Sequence, residues 1–182
     1  MNDPNLIVIS GGPGSGKTTL LLALEKRGFR CAPEVARQII QEQVRDGGSA
    51  LPWTDRELYT GLLLERSIQS YREHSPALRT TFCDRGIPDT LTYARLINLA
   101  DDRFLRRACD QYRYARRVFI APPWQEIYAT DSERKQDFAE AEGTFDLLSQ
   151  VYEECGYELV ELPKSSAEER TDFILNQLRA DE

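Results

Sequence analysis

A glycine-rich stretch near the start of the chain constrains its fold more than any other feature. The apolar run Leu6–Ser10 leads into GGPGSGKT, residues 11–18, and a helical pattern follows from Lys17 to Arg27. Glycine lets the backbone turn tightly without Cβ clashes, so successive N–H groups of the loop can point inward. The order of strand, loop and helix therefore predicts a nest of amide donors at a helix N-terminus, which is a binding site for an anion.

The spacing of the loop matches G-x-x-x-x-G-K-[ST], which is typical of proteins that bind nucleoside triphosphates. In that motif the lysine reaches the β- and γ-phosphate oxygens, and the hydroxyl that follows is a ligand for Mg²⁺. The loop alone does not distinguish a motor ATPase, a GTPase and a small-molecule kinase. The residues predicted to bind the triphosphate are Gly11, Gly12, Pro13, Gly14, Ser15, Gly16, Lys17, Thr18 and Thr19, with Thr18 also on the metal.

Length and composition are ordinary for a globular protein. The 182 residues are 41% hydrophobic and 29% charged, and we expect residues 1–182 to form a single domain. The net charge of −7 argues against nonspecific nucleic-acid binding. The four cysteines are widely spaced, and the first apolar run is too short for a signal peptide or a membrane span. We therefore expect a cytoplasmic protein without membrane insertion, either a monomer or a homodimer.

Apolar, β-rich runs alternate with helical patterns along the chain, which indicates a parallel sheet flanked by helices. The predicted strands are Leu6–Ser10, Phe29–Ala32, Thr80–Cys83, Val118–Ala121 and Tyr157–Leu162. The predicted helices are Lys17–Arg27, Glu34–Asp46, Thr54–Glu73, Pro88–Asn98, Asp102–Ala115, about Ser132–Glu154, and Ala167–Arg179. Capping boxes are predicted at Thr54 with Glu57 and at Ser166 with Glu169.

Two carboxylates stand where strands of such a sheet end. Asp84 directly follows an apolar strand, where a carboxylate can hold Mg²⁺ beside Thr18; the alternative is an aspartate that caps the next turn. Glu34 lies between a short strand and a helix, at the edge of the sheet where ligands bind. Its alternative role is a favourable interaction with the helix dipole.

The segment Asp84-Arg85-Gly86 resembles the D-R-x motif of thymidylate and deoxynucleoside kinases. Residues 31–37, CAPEVAR, resemble their E-P-x segment, although Pro33 precedes Glu34 here rather than following it. The resemblance implies that Arg85 meets the phosphoryl or hydroxyl end of an acceptor. It also implies that Glu34 orients or deprotonates the acceptor hydroxyl.

Two further segments have counterparts in such kinases. After the fourth strand, PPW leads into the charged DSERKQ, where these enzymes carry a lid that closes over the triphosphate. The lid arginine would be Arg134, with Lys135 as second choice, unless Ser132 simply caps a solvated helix. Residues 163–165, after the fifth strand, are in the position that holds the nucleobase in related kinases.

Taken together, the motifs make the chain similar to small bacterial predicted ATPases of the AAA-type P-loop group, related to nicotinamide-riboside kinase domains and nucleoside kinases. The resemblance implies an α/β P-loop NTPase sandwich of three layers, with a five-stranded parallel sheet in the order 2-3-1-4-5, helices on both faces and a helical lid. It also implies an ATP- and Mg²⁺-dependent kinase acting on an unidentified small acceptor, such as a nucleoside or a nucleotide-like compound. The alternatives are an ATPase or nucleotide-dependent switch, and a nucleotide-gated binding module for an anionic lipid or a protein.

Overall fold

A single parallel sheet organises the computed structural model, which describes residues 5–76, 79–127 and 138–180. Its strands are β1 Leu6–Gly11, β2 Arg30–Ala32, β3 Thr81–Asp84, β4 Arg117–Ala121 and β5 Glu158–Glu161. The strands lie in the order β2-β3-β1-β4-β5, and every neighbouring pair is parallel. The predicted sheet order 2-3-1-4-5 is therefore confirmed.

Helices cover both faces of this sheet. Within the described ranges they are α1 Lys17–Lys26, α2 Val35–Asp46, α3 Arg56–His74, α4 Ile87–Leu96, α5 Arg103–Gln111, α6 Phe138–Glu154 and α7 Ala167–Arg179. Successive residues of a strand point to opposite faces. Leu6 and Val8 of β1 accordingly pack with α4, α5 and α6, whereas Ile7 and Ile9 pack with α1 and α7. The predicted three-layer sandwich is confirmed.

The two remaining helices, α2 and α3, pack against each other through a cluster of Ile39, Tyr59 and Leu63. Leu64 of α3 also joins the core that lies under α4 and α5. The same core contains Ala32 of β2 and Cys83 of β3, so α3 packs on the side of the sheet that carries these two strands. Among the described residues, no helix is long and apolar enough to cross a bilayer.

Some predicted helix boundaries differ from the structure. Helix α3 begins at Arg56, and its cap is the Asp55 carboxylate, which accepts a hydrogen bond from the Leu58 N–H at 2.9 Å; the predicted cap at Thr54 was wrong. Helix α5 ends at Gln111 because the chain turns toward β4, and the Ala115 N–H donates to the Leu6 carbonyl at 2.8 Å. The capping box of Ser166 and Glu169 is confirmed.

The predicted helical lid falls largely outside the described residues. Of the helix expected over about Ser132–Glu154, the structure describes α6 from Phe138 onward. Arg134, the predicted lid arginine, and Lys135 both lie outside the described ranges.

Candidate active site

The glycine-rich loop joins β1 to α1 at the carboxyl edge of the sheet. Gly11 has a φ of 142°, and a Cβ there would lie 2.5 Å from the carbonyl oxygen of Ala121 on β4, so a side chain has no room. Gly16 has a φ of 83° and is the N-cap of α1. Among the described residues no side chain caps this helix, so its first N–H groups stay available to an anion.

Lys17 is folded back onto the loop. Its ammonium group donates hydrogen bonds to the carbonyl oxygens of Gly11 and Gly12, both at 2.8 Å. The residue is only 7% exposed, and burial, followed by the charge of Arg85, lowers the pKa of Lys17 to about 7. An anion in the loop would restore the charged form of this lysine, because opposite charge raises the pKa of an amine.

Asp84 ends β3 directly beside β1, in register with Ile9. Its Oδ1 atom is buried and has no hydrogen-bond partner among the described residues, and burial raises the pKa of Asp84 above its ordinary value. A cation at this oxygen would offset that cost. Within the same ranges no three His, Cys, Asp or Glu side chains form a group that could hold a metal ion. The Oδ1 atom of Asp84, unpartnered in the described part of the chain, fits Mg²⁺, which takes few protein carboxylates and completes its shell with phosphate oxygens and water.

Glu34 and Arg85 form an ion pair at the same edge. The Arg85 Nε donates to Glu34 Oε1 at 2.9 Å, although the two residues are 51 positions apart. Burial alone raises the pKa of Glu34, but the charges of Arg85 and Lys17 outweigh it and lower this pKa to about 2. Arg85 has a φ of 73°, a left-handed conformation that a non-glycine residue adopts at a cost. The backbone is thus strained at the residue that holds Glu34.

Asp89 is a part of the site that sequence reasoning missed. Its carboxylate accepts hydrogen bonds from the Ser10 hydroxyl at 2.6 Å, the Tyr152 hydroxyl at 2.6 Å, the Gly86 N–H at 2.8 Å and Arg85 Nη1 at 3.0 Å. The side chain is 8% exposed. Asp89 therefore fixes the direction of the Arg85 guanidinium. One signal in the sequence was available: an aspartate at the third position of a helix that follows a glycine.

Two cavities meet at this group of charges. The first, the phosphate-loop cavity, has a volume of about 450 Å³. The second, the tyrosine cavity, has a volume of about 390 Å³. Glu34 and Asp84 line both cavities. The phosphate-loop cavity is further lined by Gly14, Ser15, Gly16, Lys17, Thr18, Thr19, Trp124, Ser165 and Arg170, and the tyrosine cavity by Tyr59, Tyr71, Tyr93, Tyr114, Leu63 and Leu148 among others.

The residues predicted to bind the triphosphate, 11–19, do not all line the same cavity. Residues 14–19 all line the phosphate-loop cavity, and Thr18 and Thr19 are exposed there. Gly11 and Gly12 instead supply the carbonyl oxygens that hold Lys17, and Pro13 lines the tyrosine cavity. Ser165, from the segment expected near the nucleobase, lines the phosphate-loop cavity.

Arg170 is a second residue that sequence reasoning missed. It is 2% exposed, and it donates from Nη1 to the Ser15 carbonyl and from Nε to the Pro163 carbonyl, both at 2.8 Å. Its guanidinium also lies 5.1 Å from the centre of the Trp124 ring. Arg170 thereby ties α7 to the phosphate loop. Its signal was an arginine on the apolar stripe of a helix, at the spacing of the buried Thr171 and Ile174.

The sequence and the structure were compared with those of known proteins. A model of the AAA domain family matches residues 6–170. We found no match among curated proteins. Among solved structures, shikimate kinase from Acinetobacter baumannii in complex with shikimate is 16% identical, with a TM-score of 0.61, over 100% of this chain and 96% of that one.

Two other solved structures are similar over nearly the whole chain. Deoxyadenosine kinase from M. mycoides, with dCMP and dCDP bound, is 15% identical with a TM-score of 0.66, over 96% of this chain and 99% of that one. The NadR protein in complex with NR is 16% identical with a TM-score of 0.71; the match covers 96% of this chain and 50% of that protein. The chain has the P-loop fold found in these small-molecule kinases, as the sequence predicted.

Proposed function

The chain belongs to the AAA domain family, and we propose that it is an ATP- and Mg²⁺-dependent phosphotransferase that phosphorylates a hydroxyl group of a small molecule. One observation carries the proposal: Glu34 and Asp84 line both the phosphate-loop cavity and the tyrosine cavity. A donor in one cavity and an acceptor in the other would meet at these two carboxylates. Hydrolysis of a nucleotide alone would use only the first of these cavities. The kinase fold of the solved structures supports the same function.

The triphosphate would lie with its β-phosphate in the loop, where the amides of residues 14–18 and the start of α1 can donate hydrogen bonds. Lys17 would leave the carbonyl oxygens of Gly11 and Gly12 and stabilise charge on the γ-phosphoryl group. Thr18 and Asp84 would hold Mg²⁺, directly or through water. The metal supplies charge neutralisation for the phosphates when it is bound.

In the transfer, the acceptor oxygen forms a bond to the γ-phosphorus while the bond from this phosphorus to the β–γ bridging oxygen breaks, and ADP leaves with the electron pair. A carboxylate whose pKa is about 2 is a weak base, so Glu34 would orient the hydroxyl group as a hydrogen-bond acceptor. The hydroxyl proton would pass to an oxygen of the transferred phosphoryl group as the new bond forms, and would leave to solvent with the product. Arg85 would hold Glu34 in place, and Arg134 is proposed to close over the transfer and exclude water.

The test measures ATP consumption with and without a panel of nucleosides and vitamin nucleosides. We expect turnover that depends on an acceptor, with a phosphorylated product detected by mass spectrometry. Steady hydrolysis without any acceptor would instead indicate an ATPase, and tight nucleotide binding without turnover would indicate a switch or a gated binding module. Either of those results would overturn the proposal.

Two variants make the assay specific to the proposed roles. Glu34→Gln keeps the shape of the side chain and removes its charge, so ATP binding should persist while acceptor phosphorylation falls. Glu42→Gln is the matched control, because Glu42 pairs with Arg66 at 3.0 Å outside both cavities. Unchanged acceptor phosphorylation in Glu34→Gln would show that the role assigned to Glu34 is wrong.

A further inference from the structure

We propose that the acceptor is a ring compound that carries a hydroxyl group and no negative charge, and that the site selects against phosphate monoesters and carboxylates. The inference rests on the proposed function, because it concerns the cavity assigned to the acceptor. The resemblance to nucleoside and nucleotide kinases left two possible groups for Arg85 to meet, a hydroxyl group or a phosphoryl group of the acceptor. The inference favours the hydroxyl group. Three properties of the tyrosine cavity carry it: its walls, its charges and its remaining polar groups.

The walls of the cavity are aromatic. Tyr59 and Tyr93 pack edge to face, with ring centres 5.3 Å apart and planes at 80°. Tyr71 and Tyr114 form a second such pair, at 5.2 Å and 88°. The Tyr71 hydroxyl already donates to the Arg113 carbonyl at 2.8 Å, so this residue offers its ring to the cavity. Rigid aromatic walls in a cavity of about 390 Å³ suit a flat ring compound of small-ligand size.

The charges of the cavity disfavour an anion. Its charged lining among the described residues consists of three acidic side chains, Glu34, Asp84 and Asp89, and one guanidinium, Arg85. That guanidinium is already bound by Glu34 at 2.9 Å and by Asp89 at 3.0 Å. A phosphate monoester would have to displace one of these carboxylates and then remain beside it. Like charges brought together in a half-buried site cost binding free energy, so an anionic acceptor is rejected.

The remaining polar groups of the cavity suit neutral hydrogen bonding. Its lining residues include the hydroxyl-bearing Ser67, Ser70 and Thr144. The Tyr93 hydroxyl is buried and has no hydrogen-bond partner among the described residues. At the junction with the other cavity, the ionised Glu34 can accept a hydrogen bond from an acceptor hydroxyl but repels a phosphate oxygen. The site is therefore built to hold neutral hydroxyl and ring groups.

The experiment compares matched probes that differ by one phosphate group: thymidine with thymidine 5′-monophosphate, and nicotinamide riboside with nicotinamide mononucleotide. Binding to the full chain is measured by calorimetry, with and without a non-hydrolysable ATP analogue and Mg²⁺. We expect at least one unphosphorylated member to bind about tenfold or more tightly than its monophosphate. Equal or tighter binding of both monophosphates would overturn the inference, and so would the absence of binding by every probe.

The variant Glu34→Gln tests the physical cause. Removing this carboxylate charge releases part of the Arg85 guanidinium, so the ratio of monophosphate affinity to nucleoside affinity should rise about tenfold. The control Glu42→Gln removes a carboxylate from the ion pair with Arg66 and should leave the ratio unchanged. An unchanged ratio in Glu34→Gln would show that charge does not set the selectivity.

Turnover with the same probes separates this inference from the proposed function. Phosphorylation of a monophosphate in preference to its nucleoside would keep phosphoryl transfer from ATP, with the target group revised, and would overturn the selectivity argued here. Selective binding of a nucleoside that is never phosphorylated would have the opposite meaning: the cavity would be correctly described and the phosphotransferase proposal would fail.

Discussion

The two cavities that meet at Glu34 and Asp84 are built in different ways. The phosphate-loop cavity takes six consecutive residues, 14–19, which form the loop and the first turn of α1. The tyrosine cavity collects side chains from β2 and β3, from helices α2, α3, α4 and α6, and from the segment before β4. Backbone geometry fixes what the first cavity can hold, whereas side-chain identity decides what the second accepts. The chemistry common to a fold can therefore persist in one cavity while the acceptor changes in the other.

The largest expected effect comes from a substitution that alters the phosphate-loop cavity and leaves the tyrosine cavity intact. Lys17→Ala should lower ATP-dependent turnover by about a hundredfold or more. The variant lacks the cation that would stabilise the negative charge developing on the γ-phosphoryl group during transfer. The free energy of unfolding should also fall, by about 1–3 kcal/mol, because the Gly11 and Gly12 carbonyl oxygens lose their donor. The control is Lys26→Ala, at the exposed end of α1. Turnover equal to that of the parent chain would contradict the role of Lys17.

The same difference explains what the sequence could predict. The loop, the strand before it and the helix after it are contiguous, so spacing alone located Lys17 and its neighbours. Asp84 was found because a strand end is a local signal. The ion pair of Glu34 with Arg85 spans 51 positions, and the contact of Arg170 with Ser15 spans 155. No local pattern encodes such distances, and the four donors to Asp89 come from β1, from α6 and from the turn after β3.

A smaller effect should follow from loosening the phosphate loop through α7. Arg170→Met leaves the buried Ser15 carbonyl without its donor, which costs about 1–3 kcal/mol of the free energy of unfolding. We expect ATP affinity to fall about tenfold, while nucleoside binding in the tyrosine cavity is unchanged. Calorimetry with each ligand measures both. The control is Arg27→Met. Arg27 is an exposed arginine at the end of α1, and it pairs with Asp172 of α7 at 3.0 Å. An equal loss of affinity for both ligands would mean that Arg170 stabilises the whole protein rather than the loop.

Proton uptake on nucleotide binding tests the lowered pKa of Lys17. With its pKa lowered to about 7, the lysine is mostly neutral in the free protein at pH 8, and a bound triphosphate favours the charged form. Nucleotide binding at pH 8 should therefore take up about one proton, and the uptake should vanish below about pH 6, where Lys17 is already charged. Calorimetry in buffers of different ionisation enthalpy measures it. Lys17→Arg should show none, because arginine stays protonated. Proton uptake that persists in that variant would have another source.

The smallest effect concerns the helix that carries much of the tyrosine cavity. Asp55 caps α3, which contributes Tyr59, Leu63 and Tyr71 to the lining. Asp55→Ala should therefore lower the free energy of unfolding by about 1 kcal/mol, measured by urea denaturation. Thr54→Ala, one position earlier, should change it little because Thr54 caps nothing. Fraying at the start of α3 would affect Tyr59, and no residue of α3 lines the phosphate-loop cavity, so ATP affinity should stay the same in both variants. A loss of ATP affinity in Asp55→Ala would mean that the two cavities are not energetically independent.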